Sequence, residues 1–203
     1  VYKRQVLPLP ISDFGAANVC LDNNLTLVNQ SSSINGFGLS AFRWDVQDDD
    51  TTDYTSYNAS HKYSTPGAKD VELWVEDNYG CQDSSKQEVL IHPEPSAMFD
   101  LSNTCQFQEA SFVNQSTVAY GNVTQFQYNF GEGQIASGSE DTAHAYSNFG
   151  NFSVQLLVTT DSGCVDALSQ NILIHEKPVA NWSGVNKCLN DSSQFNDVSS
   201  IVN

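Results

Sequence analysis

Val71-Glu72-Leu73-Trp74-Val75-Glu76-Asp77-Asn78-Tyr79-Gly80-Cys81-Gln82-Asp83 returns 83 positions later as Val154-Gln155-Leu156-Leu157-Val158-Thr159-Thr160-Asp161-Ser162-Gly163-Cys164-Val165-Asp166. In both copies aliphatic side chains occupy alternate positions, which is the period of a half-buried strand and not of a helix. The Asp-Asn-Tyr-Gly and Asp-Ser-Gly that follow are turn chemistry. A strand, a turn and a cysteine recur together, so the chain is read first as a repeat.

Working outward, other landmarks recur at offsets of 83 to 85 residues. Asn29-Gln30-Ser31 returns as Asn114-Gln115-Ser116, and His61-x-Tyr63 with Gly67 returns as His144-x-Tyr146 with Gly150. The opening Pro10-x-x-x-Phe14 recurs as Pro95-x-Ala97-x-Phe99 and as Pro178-x-Ala180-x-Trp182. Cys20, Cys81, Cys105, Cys164 and Cys188 are separated by 61, 24, 59 and 24 residues, so each unit of about 84 residues carries two cysteines. The expected organisation is residues 1–9 as the last strand of a preceding repeat, domains at 10–94 and 95–177, and the start of a further, truncated domain at 178–203. The strand Val89-Leu90-Ile91 and its counterpart Ile172-Leu173-Ile174 close each unit. Phe42-x-Trp44-x-Val46 and Phe126-x-Tyr128-x-Phe130 supply large rings for a core, with Trp44 and Tyr128 as its centre. About seven short strands per unit, punctuated by turns, predict an all-β fold of two-sheet antiparallel sandwiches.

The composition agrees. Of 203 residues, 39% are hydrophobic, 11% aromatic and only 16% charged, so the chain can fold. Eight Lys and Arg against 24 Asp and Glu give a net charge of −16, which excludes nucleic acid as a default partner because phosphate binding needs clustered cations. No apolar run reaches the ~18 residues of a membrane span, and neither end reads as a signal peptide, so no membrane insertion by this segment is expected.

These residues resemble the PKD (polycystic kidney disease) repeat, an immunoglobulin-like sandwich. The family's strand and turn, Tyr-x-Trp-Asp-Phe-Gly-Asp-Gly, reads here Phe42-Arg43-Trp44-Asp45-Val46-Gln47-Asp48-Asp49 and Phe126-Gln127-Tyr128-Asn129-Phe130-Gly131-Glu132-Gly133. The His-x-Tyr-x-x-x-Gly corner and the Val-x-Leu-x-Val strand match fully in both units. The resemblance implies that Tyr63 and Tyr146 form tyrosine corners, their rings at the core edge and their hydroxyls on backbone near the turn. With its paired cysteines, the chain is similar to PKD arrays of large surface proteins of Bacteroidota, including gliding-motility adhesins and type 9 secretion substrates. A cell-surface or secreted location is implied. The function implied is a structural and adhesive stalk with no catalysis, whose partners are neighbouring repeats and an unknown surface glycan or protein at a distal tip. The alternative is a carbohydrate- or protein-binding accessory module of a secreted hydrolase, which a line of exposed aromatics would favour; the aromatics fall mainly at core-type positions, with Tyr54, Tyr57 and Tyr120 the few in loop-like contexts.

Candidates for chemistry are few. The four histidines occupy two repeated positions, His61 with His144 and His92 with His175, which marks them as framework. No Ser-His-Asp or Cys-His arrangement stands in an unrepeated context. Asp48, Asp49, Asp50 and Asp53 offer hard oxygen ligands to calcium, the one cofactor considered, beside the simpler reading of a solvated acidic loop. Thr142 in Asp141-Thr142-Ala143 matches an Asp-Thr-apolar O-glycosylation pattern, and eight Asn-x-Ser/Thr sequons are present. Without Cys-x-x-Cys spacing the cysteines point to disulfides in an oxidising compartment. Pairing within each unit joins Cys20 to Cys81 and Cys105 to Cys164. If Phe99 and Phe112 face each other across a simple hairpin, sandwich geometry separates those pairs and favours Cys20 with Cys164. Cys81 then pairs with a preceding unit, and Cys105 and Cys188 with following ones.

Overall fold

The computed structural model describes residues 6–34 and 37–201. No α-helix occurs among them. The chain folds as two compact units, Val1–Glu94 with Ser162–Cys164, and Pro95–Asp161 with Val165–Asn203.

In the first unit the strands are Phe14–Gly15 (β1), Val19–Cys20 (β2), Leu25–Asn29 (β3), Leu39–Asp45 (β4), Ala59–His61 (β5), Gly67–Asp77 (β6) and Gln82–His92 (β7). One sheet has the order β1-β3-β5 and the other β2-β7-β6-β4. All pairings are antiparallel except β2 with β7. The period-two pattern of β6 is realised directly: Val71, Leu73 and Val75 are buried and pack with Phe14, Leu25, Leu27, Trp44, Val89 and Ile91 between the sheets. Val6–Pro10 carry no strand, and residues 1–5 lie outside the described residues.

The second unit repeats the plan with Phe99–Leu101 (β8), Thr104–Cys105 (β9), Glu109–Asn114 (β10), Val123–Asn129 (β11), Ile135–Ser137 (β12), Thr142–Ala145 (β13), Gly150–Thr160 (β14) and Val165–His175 (β15). Its sheets run β13-β10-β8 and β12-β11-β14-β15-β9. Among the described residues of the first unit no strand corresponds to β12; in its place Trp44 and Tyr54 make an isolated bridge. Trp182–Gly184 (β16) and Phe195–Asp197 (β17) form a two-stranded antiparallel pair, with Trp182 64% and Phe195 67% exposed.

One expectation needs correction. The opening of each unit is not a simple hairpin, and Phe99 and Phe112 are not ladder partners: Phe99 is opposite Asn114 and Leu101 is opposite Phe112, with the two phenylalanine rings diagonal neighbours in the core at a centroid distance of 6.4 Å. After β8 the chain crosses to the other sheet, where β9 runs parallel to the end of β15 with Thr104 opposite Ile174 and Cys105 opposite His175. Two side chains fix the crossing in each unit. Gln170 Nε2 donates to the Phe99 carbonyl at 2.7 Å and Asn103 Oδ1 accepts from the Leu173 amide at 3.1 Å. In the first unit Gln87 and Asn18 make the same bonds to Phe14 and Leu90, at 2.6 and 2.9 Å. They satisfy strand groups that would otherwise be left unpaired where the ladder breaks.

Candidate functional site

The residues most able to do chemistry gather at one corner of each sandwich, where the strand ending in Asp45 or Asn129 meets the His-x-Tyr corner. In the first unit Asp45, 3% exposed, organises the loop beyond it. Its Oδ1 accepts from the Gln47 and Asp48 amides at 3.0 and 2.8 Å, and its Oδ2 accepts from Asp50 at 2.9 Å. Asp48 and Asp50 take left-handed φ of 55° and 60°, a conformation that aspartate tolerates better than most side chains. The acidic residues then serve the loop itself. Asp53 accepts from the Val46 amide at 2.8 Å and from Gln47 Nε2 at 2.7 Å. Asp49 accepts from the amide and hydroxyl of Thr51, which hold its carboxyl below the usual range. Asp48 pairs with Lys86 at 2.7 Å, and Lys86 also reaches Asp70 at 3.1 Å. Among the described residues no group of three or more His, Cys, Asp or Glu side chains is arranged to hold a metal ion. Asp45 is the functional group that sequence reasoning missed; its signal is an aspartate closing a strand just before a run of amides that need acceptors.

Beside this loop lies an open groove of about 620 Å³ lined by polar residues, among them Gln47, His61, Lys62, Thr65, Lys69 and Glu88. His61 Nδ1 is 2.9 Å from the Tyr54 hydroxyl. Burial pushes the His61 ring's pKa down, against an upward pull from Asp53. Tyr54, taken from sequence as a loop aromatic, packs against the core instead. Tyr57 and Tyr120 are exposed, and Tyr57 lies edge-on to Phe42 at 5.1 Å.

In the second unit the acidic loop is replaced by a shorter turn. Asn129 Oδ1 accepts from the Gly131 amide at 3.0 Å. Gly131 has φ 85°, and a Cβ there would meet the Ser153 carbonyl oxygen at 2.5 Å, so only glycine fits. Glu132 turns inward onto His144 Nε2 at 2.6 Å, and the imidazole stacks on Phe130 with centroids 4.2 Å apart. Thr142 lies half-buried in β13 opposite Phe112, and its neighbour Asp141 accepts the Asn114 amide at 2.8 Å.

Both corner tyrosines are buried, and their hydroxyls donate to backbone, Tyr63 to Val46 at 2.7 Å and Tyr146 to Phe130 at 3.1 Å. Trp44 and Tyr128 are buried with their polar atoms paired, Trp44 Nε1 to the Ser56 carbonyl at 3.0 Å and the Tyr128 hydroxyl to Glu140 at 3.0 Å. Burial raises the pKa values of Tyr63, Tyr128 and Tyr146 to about 12.

The remaining repeated motifs are used structurally. The aspartate of each Gly-Cys-x-Asp element accepts an amide of its own unit's opening segment, Asp83 from Ser12 and Asp166 from Ala97, both at 2.8 Å. Asn29, Asn114 and Asp197 each accept the amide two residues on, in three equivalent turns at 2.8, 3.0 and 2.8 Å. The Asn-Gln-Ser sequons at Asn29 and Asn114 thus each form a turn closed by the asparagine side-chain oxygen. Of the cysteines, Cys20 and Cys164 are disulfide-bonded with Cα atoms 5.7 Å apart, while Cys81, Cys105 and Cys188 are free thiols.

Comparison with known proteins places this geometry. The PKD domain family matches residues 8–91 and again residues 92–174. Collagenase ColA of Clostridium perfringens is 25% identical over 146 residues, which is 70% of this chain but 12% of that enzyme's length. Among solved structures, the PKD1 domain of Vibrio cholerae metalloprotease PrtV is 30% identical over 40% of this chain and 96% of its own, with a TM-score of 0.37. The PKD1 domain of Vibrio anguillarum Epp is 25% identical over 41% and 96%, with a TM-score of 0.39. With both repeats matched over most of its length, the chain belongs to the PKD domain family and carries two immunoglobulin-like copies in tandem.

Proposed function

We propose that this segment is a non-catalytic spacer of a secreted or cell-surface protein, a stalk that holds a distal adhesive part away from its anchor. The observation that carries the reading is the way the motif residues are used. His61 and His144, the corner tyrosines and the aspartates of the Gly-Cys-x-Asp elements are spent on bonds inside their own repeat, from Tyr63 with Val46 to Asp166 with Ala97. Side chains engaged in this way build a framework, the Tyr54 hydroxyl and the His61 ring among them. The stalk's partners are neighbouring repeats of the same chain, and its adhesive target is a surface glycan or protein contacted elsewhere in the molecule. The net charge of −16 disfavours nucleic acid and anionic lipid. Among the described residues no helix is long and apolar enough to cross a membrane. The similarity to a collagenase and to PKD1 domains of Vibrio proteins supports an extracellular setting.

The same relatives favour a second reading, an accessory module attached to a secreted hydrolase. Replacing this segment in its parent protein by an unrelated tandem immunoglobulin-like segment of equal length separates the two. A spacer is fully rescued by the substitute. A module that binds substrate is not, and loss of adhesion or substrate retention in the substituted protein rejects the spacer.

A further inference from the structure

The five cysteines fall into two backbone classes. Cys20, Cys105 and Cys188 open the same turn, in which the amide three residues on donates to the cysteine carbonyl: Asn23 to Cys20 at 3.1 Å, Gln108 to Cys105 at 3.1 Å and Asp191 to Cys188 at 3.0 Å. The residue two positions on is left-handed each time, Asp22 at φ 63°, Phe107 at 66° and Asn190 at 75°. Cys20 and Cys105 also share a strand register, each opposite the final histidine of its repeat, His92 or His175. Cys81 and Cys164 form the second class. Each follows a left-handed glycine, Gly80 at φ 80° or Gly163 at 83°, and each stands two residues before the aspartate that holds the unit's opening segment.

One disulfide joins a member of each class, Cys20 to Cys164 across 144 residues of sequence. It runs from the opening turn of one sequence repeat to the Gly-Cys element of the next, and the tripeptide Ser162–Cys164 belongs to the first compact unit. Cys105 has the backbone of the bonded Cys20 and Cys81 precedes a strand like that after Cys164, yet both are thiols. Pairing inside a repeat is closed to Cys81. Cys20 is opposite the last residue of the 11-residue β7 and Cys81 precedes its first, which separates them by about 36 Å along the strand at the usual rise per residue. A disulfide needs Cα atoms within about 7 Å.

We propose that Cys105 and Cys81 are open halves of the same clamp. Cys105 takes the Gly-Cys-x-Asp cysteine of a PKD repeat that follows residues 95–177, and Cys81 gives its sulfur to the opening-turn cysteine of a repeat that precedes residue 10. The partner in each direction is a repeat of this type in the same polypeptide. Each bond forms as two thiols release two protons and two electrons to a disulfide oxidant such as glutathione disulfide, which leaves as two glutathione thiols. The inference rests on the two cysteine classes and the one existing bond, and it stands or falls separately from the spacer reading.

In the chain itself, oxidation by glutathione disulfide consumes two of the five thiols, those of Cys20 and Cys164. The decisive protein carries residues 1–177 with Cys81→Ser, followed directly by a second copy of residues 10–94 with Cys20→Ser. It is assembled from whole repeats, each with its own buried core. Four thiols remain, and their three pairings give different linked peptides under non-reducing digestion. The clamp predicts Cys20 with Cys164, and Cys105 with the appended copy's Cys81, in equal yield. Cys105 remaining open to alkylation while Cys20–Cys164 closes overturns the proposal, and so does a Cys105–Cys164 peptide. Failure of Cys20–Cys164 to form removes its template and overturns it equally.

Discussion

Cys20 lies in parallel register with His92, the last residue of the strand that Cys81 precedes, so the two cysteines of the first repeat stand at opposite ends of β7. This relationship excludes a bond within the repeat and leaves Cys20 for Cys164. Non-reducing peptide mapping should return the Cys20–Cys164 peptide and no Cys20–Cys81 peptide. Cys164→Ser should lower stability by about 2–4 kcal/mol in the oxidised protein and change little under reduction, which denaturant titration with and without reductant can read.

Trp44 fills the centre of the first core edge-on to Phe14, with ring centroids 5.2 Å apart, and its indole N–H is bonded to Ser56. Trp44→Ala should cost on the order of 3–5 kcal/mol by chemical denaturation. Trp44 should also emit at shorter wavelength than the exposed Trp182, measured in variants that retain one tryptophan at a time.

Three buried tyrosines set an alkaline limit. Their pKa values rise from the ordinary 10.0 to about 12 on folding, so above pH 10 the unfolded chain has released protons that the folded chain still holds. Stability therefore falls as pH climbs from about 10 to about 12, by an amount on the order of 2–3 kcal/mol for each tyrosine, and is unaffected by these groups below pH 10. Tyrosinate absorbance should lag behind that of free tyrosine until the protein unfolds. Tyr146→Phe should remove part of that dependence at a cost of about 1–3 kcal/mol, because the Phe130 carbonyl loses its donor.

Asp45 is the acceptor for three amides of the loop beyond β4. Asp45→Ala should leave those donors unpaired, destabilise the first unit by about 2–4 kcal/mol and open the segment from Gln47 to Thr51 to proteolysis. Asn129 holds the shorter turn of the second unit, so Asn129→Ala should have the smaller effect. Hydrogen exchange of the two loops provides the comparison.

The repeat itself and its all-β class were legible in the residues, because alternation in Val71, Leu73 and Val75, turn glycines and cysteine spacing are local or periodic signals that survive without any knowledge of the tertiary arrangement. So was the identity of the large core rings, since an aromatic at an alternating strand position has little alternative to burial in a unit this small. The acidic run was legible as a loop, but not the role of Asp45 within it, because which amides a carboxylate caps depends on a backbone conformation that residue types alone do not fix.

What only the tertiary structure decided are the relationships between residues far apart in sequence. The crossing of the opening strand from one sheet to the other depends on Gln87 and Asn18 meeting backbone more than 70 residues away. The capping of Ser12 by Asp83 and of Ala97 by Asp166 is equally distant. No local pattern announces a parallel two-residue strand, and without it the cysteine of β2 or β9 reads as the tip of a hairpin. A disulfide is decided by the separation and direction of its two backbones, and five cysteines at a regular spacing are compatible with several pairings until the strands between them are laid out in space.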